Sequence, residues 1–201
     1  MDRARAVERE RFLLVSVSTA GGPAGLRVHV WRKLRSLGAV YLQQSVCLLP
    51  ARERLAREVA RLLARVHAQG AAGRAITIEV PDEREHAALV AEFNAARDAE
   101  YAEVLERTPA LLAEIASEMS RGRASYAEVE ESEADLDRFH TWLAKIAARD
   151  YFGAAGRGAA EAAVTRCAEA LAEFEAAALS ADTAADDVPA TPTRLTIAEG
   201  R

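Results

Sequence analysis

The run Val40-Tyr41-Leu42-Gln43-Gln44-Ser45-Val46-Cys47-Leu48-Leu49-Pro50 decides how the first half of this chain folds. Its aliphatic and aromatic residues read as strand, and Pro50 closes it. It is long for one strand, since strands typically run ~5–6 residues. The polar Gln44 and Ser45 in its middle predict a break or bulge there, giving two short strands.

The neighbouring segments extend the pattern. Upstream, Leu26, Val30, Leu34 and Leu37 recur at helical spacing over residues 24–37, and Gly38 is the expected stop. Further upstream, Phe12-Leu13-Leu14-Val15-Ser16-Val17-Ser18 reads as a strand apolar enough to be buried on both faces, followed by turn chemistry at Thr19-Ala20-Gly21-Gly22-Pro23. Downstream, Leu55, Val59, Leu62 and Val66 mark an amphipathic helix over 51–69, ended by Gly70. Ala75-Ile76-Thr77-Ile78-Glu79-Val80 alternates as a strand before Pro81. The order β-α-β(β)-α-β points to a ferredoxin-like unit over residues 1–82.

After Asp82 the strand signal disappears. Residues 83–107 read as a long helix, and Thr108-Pro109 predicts a new start, with threonine as N-cap and proline at the first helical position. Ser125-Tyr126-Ala127-Glu128 is a capping box opening a helix to about Arg149. Its apolar stripe of Val129, Leu136, Phe139, Leu143 and Ile146 is repeated over 159–179 by Val164, Cys167, Leu171, Phe174 and Ala178. Two such helices joined by the Gly-rich connector 151–158 predict an antiparallel helical hairpin. The expected architecture is therefore α+β: a ferredoxin-like basic domain over 1–82, an acidic all-helical domain over 83–179, and a disordered tail over 180–201.

Composition agrees with this division. The chain has 201 residues and a formal net charge of −5, and its low aromatic content of 5% fits a helix-rich protein. The charge is an average of unlike halves: residues 1–75 carry 14 basic and 5 acidic side chains, and residues 76–201 carry 12 and 26. A basic head can mark a polyanion-binding half, and it can equally be neutralised by the acidic body in the fold or across a subunit contact. No apolar run approaches the ~20 residues of a membrane-spanning helix. The start lacks the apolar core of a secretory signal. Cys47 and Cys167 have no Cys-x-x-Cys spacing and read as two buried thiols in a reducing compartment. A cytoplasmic protein with no membrane partner is expected.

The chemical motifs are sparse. None of His29, His67, His86 and His140 begins a zinc motif. Glu133, Asp137 and His140 are spaced to share one helix face, yet they supply only half of a carboxylate-bridged metal centre, and a solvated acidic face is the better reading. Gly153, Gly156 and Gly158 follow a helix rather than a strand, so they do not form a phosphate-cradling loop. The residues present no catalytic constellation, metal site or cofactor motif.

The basic head supplies the candidate site. Arg27, Trp31 and Arg35 fall four apart on the first helix, with Arg32 and Lys33 alongside. Arg54, Arg57, Arg61 and Arg65 form a stripe on the second. Arginine's planar donor fork suits phosphate, and tryptophan offers a stacking platform, so these nine residues are expected to contact nucleic acid or an anion. The competing assignment has Trp31 covering the edge of the core, with Arg57 and Arg61 paired to Glu53 or Glu58.

Several motifs carry a family resemblance. Arg27, Trp31, Arg32, Leu34, Leu37, Gly38, Ala39, Leu48, Leu49 and Pro50 stand in the order of the N-terminal region of ChrB, the chromate-resistance regulatory protein. Further similarity lies in Phe93 with Ala99-Glu100-Tyr101, in Tyr126-Ala127-Glu128-Val129-Glu130-Glu131, and from Trp142 to Arg149-Asp150-Tyr151-Phe152-Gly153. The resemblance spans roughly residues 11–178. The first stretch also resembles the middle domain of the PaaX repressors and the small ferredoxin-fold nucleases of CRISPR spacer acquisition. Those nucleases hold metal through an aspartate at the end of the first strand. Here that strand ends Val17-Ser18-Thr19, so their activity does not carry over. PaaX-type repressors place a winged helix ahead of this unit, and longer ChrB proteins add a C-terminal domain where this sequence has its tail.

The resemblance implies a stand-alone ChrB N-terminal-like protein, a regulatory or accessory factor in chromate or other oxyanion resistance. On that expectation it regulates transcription, binding DNA or an oxyanion through the arginine-rich helices. The alternative is a non-catalytic interaction or oligomerisation module without DNA binding, in which a homodimer forms by docking the basic head on an acidic body. An enzyme such as a chromate reductase would need a cofactor motif that the sequence does not offer.

Overall fold

The computed structural model describes residues 10–121 and 126–186. In chain order the elements are β1 (Phe12–Ser18), α1 (Leu26–Ser36), β2 (Val40–Gln43), β3 (Val46–Pro50), α2 (Glu53–Ala68), β4 (Ala72–Ile78), α3 (Glu83–Ser120), α4 (Tyr126–Ala147) and α5 (Arg157–Asp186). The fold is α+β, with five helices and one antiparallel four-stranded sheet, ordered β2-β3-β1-β4, among the described residues. The break expected at Gln44 and Ser45 is the turn between β2 and β3.

The chain divides into two compact units. One comprises the residues through Leu105 together with Thr141–Glu161, and the other Glu106–His140 together with the residues from Ala162 onward. The helical segment that follows residue 82 therefore contributes to both.

In the first unit, β1 is apolar on both faces because both are covered. Leu13, Val15 and Val17 join Cys47 and Leu49 of β3 beneath α1 and α2, which contribute Leu26, Val30 and Leu34 and Leu55, Val59, Leu62, Leu63 and Val66. Phe12 and Leu48 point the other way and pack against Phe93 of α3. Each fully buried Leu, Val or Phe side chain contributes ~1.5–3 kcal/mol, so a one-residue register slip, which exchanges the two faces, is strongly disfavoured.

In the second unit, Leu111 and Ile115 of α3, Val129 of α4, and Cys167, Leu171, Phe174 and Ala178 of α5 share one core. Val129 of the first predicted stripe and Cys167, Leu171, Phe174 and Ala178 of the second lie in this core, with Leu136 and Phe139 packed against it.

Four boundaries differ from expectation. Strand β4 covers Ala72–Ile78 rather than 75–80. Gly73 resembles turn chemistry, but it lies inside the strand because α2 approaches closely: a Cβ there would sit 2.6 Å from Leu63 Cδ2 and 3.3 Å from the Ser16 carbonyl oxygen. Second, α3 does not restart at Thr108-Pro109 but runs unbroken through Pro109 to Ser120. Thr108 is buried within it, and Val104, Leu111 and Ile115 are buried on either side. That burial outweighs the ~3 kcal/mol that an interior proline costs. Third, α4 ends at Ala147 rather than near Arg149; Ser125 of the expected capping box lies outside the described residues. Fourth, α5 continues past residue 179 to Asp186. The rest of the expected tail, residues 187–201, lies outside the described residues.

Candidate functional site

Helix α1 is held against the sheet by its apolar stripe, so the residues between those positions face outward. Trp31 and Val28 are 46% and 47% exposed. Together with Arg27 and Arg32 they form one wall of a groove of about 980 Å³. The opposite wall is the β2–β3 turn with Tyr41, Gln43, Gln44 and Ser45, and the end of β1 contributes Ser18 and Thr19. Val17, Leu34 and Cys47 lie beneath, and no carboxylate is among the described lining residues.

The charge of the groove comes from its arginines. Burial pushes the Cys47 thiol up to about 12. Burial likewise raises the Tyr41 hydroxyl to about 12, with the neighbouring Cys47 adding to the shift and Arg35 opposing it. Both groups are neutral near pH 7, and a protonated thiol is a poor nucleophile. Among the described residues neither Arg27 nor Arg32 has an ion-pair partner.

These raised values predict an alkaline weakness. The unfolded chain loses the Cys47 proton near its ordinary value of 9.0, whereas the folded chain keeps it to about 12. The folded state then binds more protons, so stability is unaffected below the lower value and falls as pH rises between the two. Urea melts at pH 8 and above pH 10 should show this loss, and a smaller one in Cys47→Ala. An equal loss in both proteins would remove Cys47 as the cause.

The nine basic and aromatic candidates do not all line the groove. Arg27, Trp31 and Arg32 line the groove. Arg35 lies beside them, its guanidinium carbon 5.0 Å from the Trp31 ring centroid, a cation–π contact that braces the indole. Lys33 instead reaches α2, with Nζ 2.6 Å from Glu58 Oε2. Arg61 pairs with the other oxygen of Glu58, and Arg57 pairs with Glu53. The Lys33 hydrogen bond and charge, helped by Arg61 and Arg54, hold the Glu58 carboxyl below its usual range. Arg54 directs Nη2 to the Ala148 carbonyl at 3.4 Å, and Arg65 is exposed near the end of α2. Glu133, Asp137 and His140 are exposed, and no cluster of three or more His, Cys, Asp or Glu side chains suited to a metal ion occurs among the described residues.

A second polar cluster rests on partners far apart in sequence, apart from the Arg97–Glu100 pair at helical spacing on α3. Glu100 accepts from Arg97 Nη2 at 3.0 Å with one oxygen and from Arg149 Nη2 at 2.9 Å with the other. Tyr101 donates to Asp150 at 3.3 Å, and the Tyr151 hydroxyl donates to the Leu37 carbonyl at 2.6 Å. Arg52 donates to the Tyr151 carbonyl at 2.8 Å and stacks over its ring. The Gly-rich connector is pinned as well: Gly153 and Ala154 donate to Asp150, and Gly156 donates to Asp98. Residues 97–101 and 149–153 thus meet around the C-terminal end of α1, which fixes the helix that carries the groove.

The family model described as protein ChrB, N-terminal, matches residues 27–185. The chain belongs to the ChrB N-terminal family. The match begins at Arg27 and takes in the nine candidates of α1 and α2 and both halves of the polar cluster. Membership ties the chain to chromate resistance. No curated protein and no solved structure matches the chain. No helix among the described residues is long and apolar enough to cross a membrane.

Proposed function

We propose that this member of the ChrB N-terminal family is a non-catalytic regulatory or accessory factor in chromate resistance that binds DNA through the groove of Arg27, Trp31 and Arg32. The observation that carries this reading is the groove itself, where, among the described residues, two arginines without ion-pair partners flank a half-exposed indole and no carboxylate intrudes. Guanidinium groups neutralise phosphates, and the indole offers a face for a base or sugar. The protonated thiol and phenol of the groove argue for binding rather than nucleophilic chemistry. In this reading the protein is cytoplasmic and needs no cofactor. The sheet order β2-β3-β1-β4, with α1 and α2 on one face, supports a ferredoxin-like first unit. The core shared by the stripes of α4 and α5 supports a helical hairpin in the second.

The test is a gel shift or anisotropy titration on the DNA upstream of the protein's own gene, repeated over a salt series. Arg27→Ala combined with Arg32→Ala is expected to weaken binding by roughly tenfold or more and to lower the log–log salt slope by about two. Binding that ignores both salt and the double substitution would sink the proposal.

A second reading is favoured by the ion pairs of Lys33, Arg57 and Arg61, which commit much of the basic surface to protein carboxylates. In it the chain is an interaction module whose basic face docks on an acidic protein surface. No DNA binding in the same titration, together with self-association that weakens with salt, would favour this module.

A further inference from the structure

We propose that β4 is a self-association edge, along which a second copy of this chain pairs antiparallel about a two-fold axis at Ile76. The sheet has two edges, and they are built differently. Strand β2 is short and interrupted by a register shift between Tyr41 and Gln43, features that blunt an edge against further pairing. Strand β4 pairs with β1 without a shift from Phe12↔Ile78 to Ser18↔Ala72. It holds no proline, its one charge is Arg74, and residues 74–77 are exposed, Ile76 by 53%.

The direction of its backbone groups follows from one hydrogen bond. The Val17 N–H donates to the Ser45 carbonyl at 2.9 Å, on the β3 side of β1. Alternation along a strand then turns Phe12, Leu14, Ser16 and Ser18 toward β4. Their partners Ile78, Ile76, Arg74 and Ala72 face back toward β1, so Gly73, Ala75 and Thr77 present N–H and C=O groups outward. His67 Nε2 lies 2.9 Å from the Gly73 carbonyl oxygen, as an outward direction requires, and occupies it. Ala75 and Thr77 are left as the open part of the edge.

A second β4 fits that opening in one register. With the axis at Ile76, Ala75 exchanges backbone hydrogen bonds with the second copy's Thr77, and Thr77 with its Ala75. The two Ile76 side chains meet as a non-hydrogen-bonded pair, with Cα atoms ~4.5 Å apart, and cover each other's exposed surface. Arg74 then lies opposite an isoleucine, Ile78. An axis at Arg74 would oppose like charges, and one at Ala75 would need the carbonyl that His67 holds. So small a junction falls short of the ~1,600 Å² of a standard interface and predicts a weak dimer, with a dissociation constant of roughly 10 µM to 1 mM.

Sedimentation equilibrium of the full chain from low micromolar to millimolar concentration tests this. A monomer–dimer equilibrium that does not weaken with added salt is expected, since no ion pair crosses the junction. Thr77→Pro should raise the dissociation constant at least about tenfold with an unchanged thermal melt, because that N–H makes no bond to β1. Ile76→Lys, which opposes two ammonium groups, is the second variant should the proline one misfold. Ile76→Cys should form a disulfide-linked dimer under mild oxidation, and Thr77→Cys should not, because only position 76 meets itself. Cys47 and Cys167 are buried and give little background. A monomer at every concentration overturns the proposal, as does a dimer indifferent to Thr77→Pro and Ile76→Lys, or an Ile76→Cys protein that fails to cross-link. A dimer dissolved by salt transfers self-association to the charged faces, and cross-linking in cell extract only to another protein replaces the second copy as occupant; either also overturns it. None of these outcomes bears on the DNA titration.

Discussion

Glu100→Ala is expected to destabilise the fold by about 3 kcal/mol, read as a lower urea midpoint at unchanged slope. Glu100 is the single carboxylate between two guanidinium groups. The Arg97 side chain is only 8% exposed, and its Nε and Nη1 are buried without a hydrogen-bond partner among the described residues. Nη2 and its bond to Glu100 therefore carry the compensation for a charge held out of water. Removing the carboxylate leaves that charge in a low dielectric, where breaking a buried pair costs ~3–5 kcal/mol. The lower end applies because the Glu100 side chain keeps 22% exposure and Arg149 keeps 20%. Replacing both members, Arg97→Met with Glu100→Leu, should recover most of the loss, because the buried charge disappears with its partner. A cost below about 1 kcal/mol for Glu100→Ala would mean that Arg97 is solvated or held by other groups.

This cluster bears on binding as well as stability. Tyr151 ties its hydroxyl to Leu37 at the end of α1, and Arg149 reaches the Arg35 carbonyl two residues earlier, at 3.5 Å. Helix α1 is thereby anchored at its C-terminal end while Arg27, Trp31 and Arg32 project from its outer face. The orientation of the groove wall depends on residues more than a hundred positions away in sequence.

That distance explains what could be read in advance. The division of 40–50 into two strands was legible because polar Gln44 and Ser45 interrupt an otherwise apolar run, and a strand's period of two makes such a break local. The stripes of α1 and α2 were legible for the same reason. Spacing on a helix also brings Arg57 within reach of Glu53, and Arg61 within reach of Glu58, so those pairs were open to anticipation. Lys33 with Glu58 needed the packing of α1 on α2. Glu100 with Arg149 and Tyr151 with Leu37 needed the whole first unit, since such partners are chosen by the fold and not by neighbours in the chain. Pro109 misled for a related reason. It is a local breaker whose cost is outweighed by buried residues on both sides. The family motifs marked residues 99–101 and 149–153 without their roles, and the structure supplies those roles as partners in one cluster.

Phe93→Ala is expected to cost about 3–5 kcal/mol, the range for a buried aromatic truncated to alanine. Phe93 is 2% exposed and stacks on Phe12 at 6.0 Å with a 15° interplanar angle, while the tilted Phe152 ring lies 5.4 Å away. Phe12 and Phe152 are themselves 6.3 Å apart, so the three rings form a closed set, and removing one takes an aromatic partner from each of the other two. The substitution strikes where α3 covers the second face of the sheet, beside Phe12 and Leu48, and neither can turn away without exposing a face of β1 or β3. Such a site collapses poorly, which places the cost toward the upper part of the range. Phe93→Leu, which keeps most of the volume but not the ring contacts, should cost about 1–2 kcal/mol. Chemical denaturation of the two variants separates the contributions: equal losses would assign the effect to the rings, and a near-neutral Phe93→Ala would mean that α3 does not cover this face in solution. The groove lies on the opposite face beside α1, so DNA affinity measured on folded Phe93→Leu should match the unsubstituted chain.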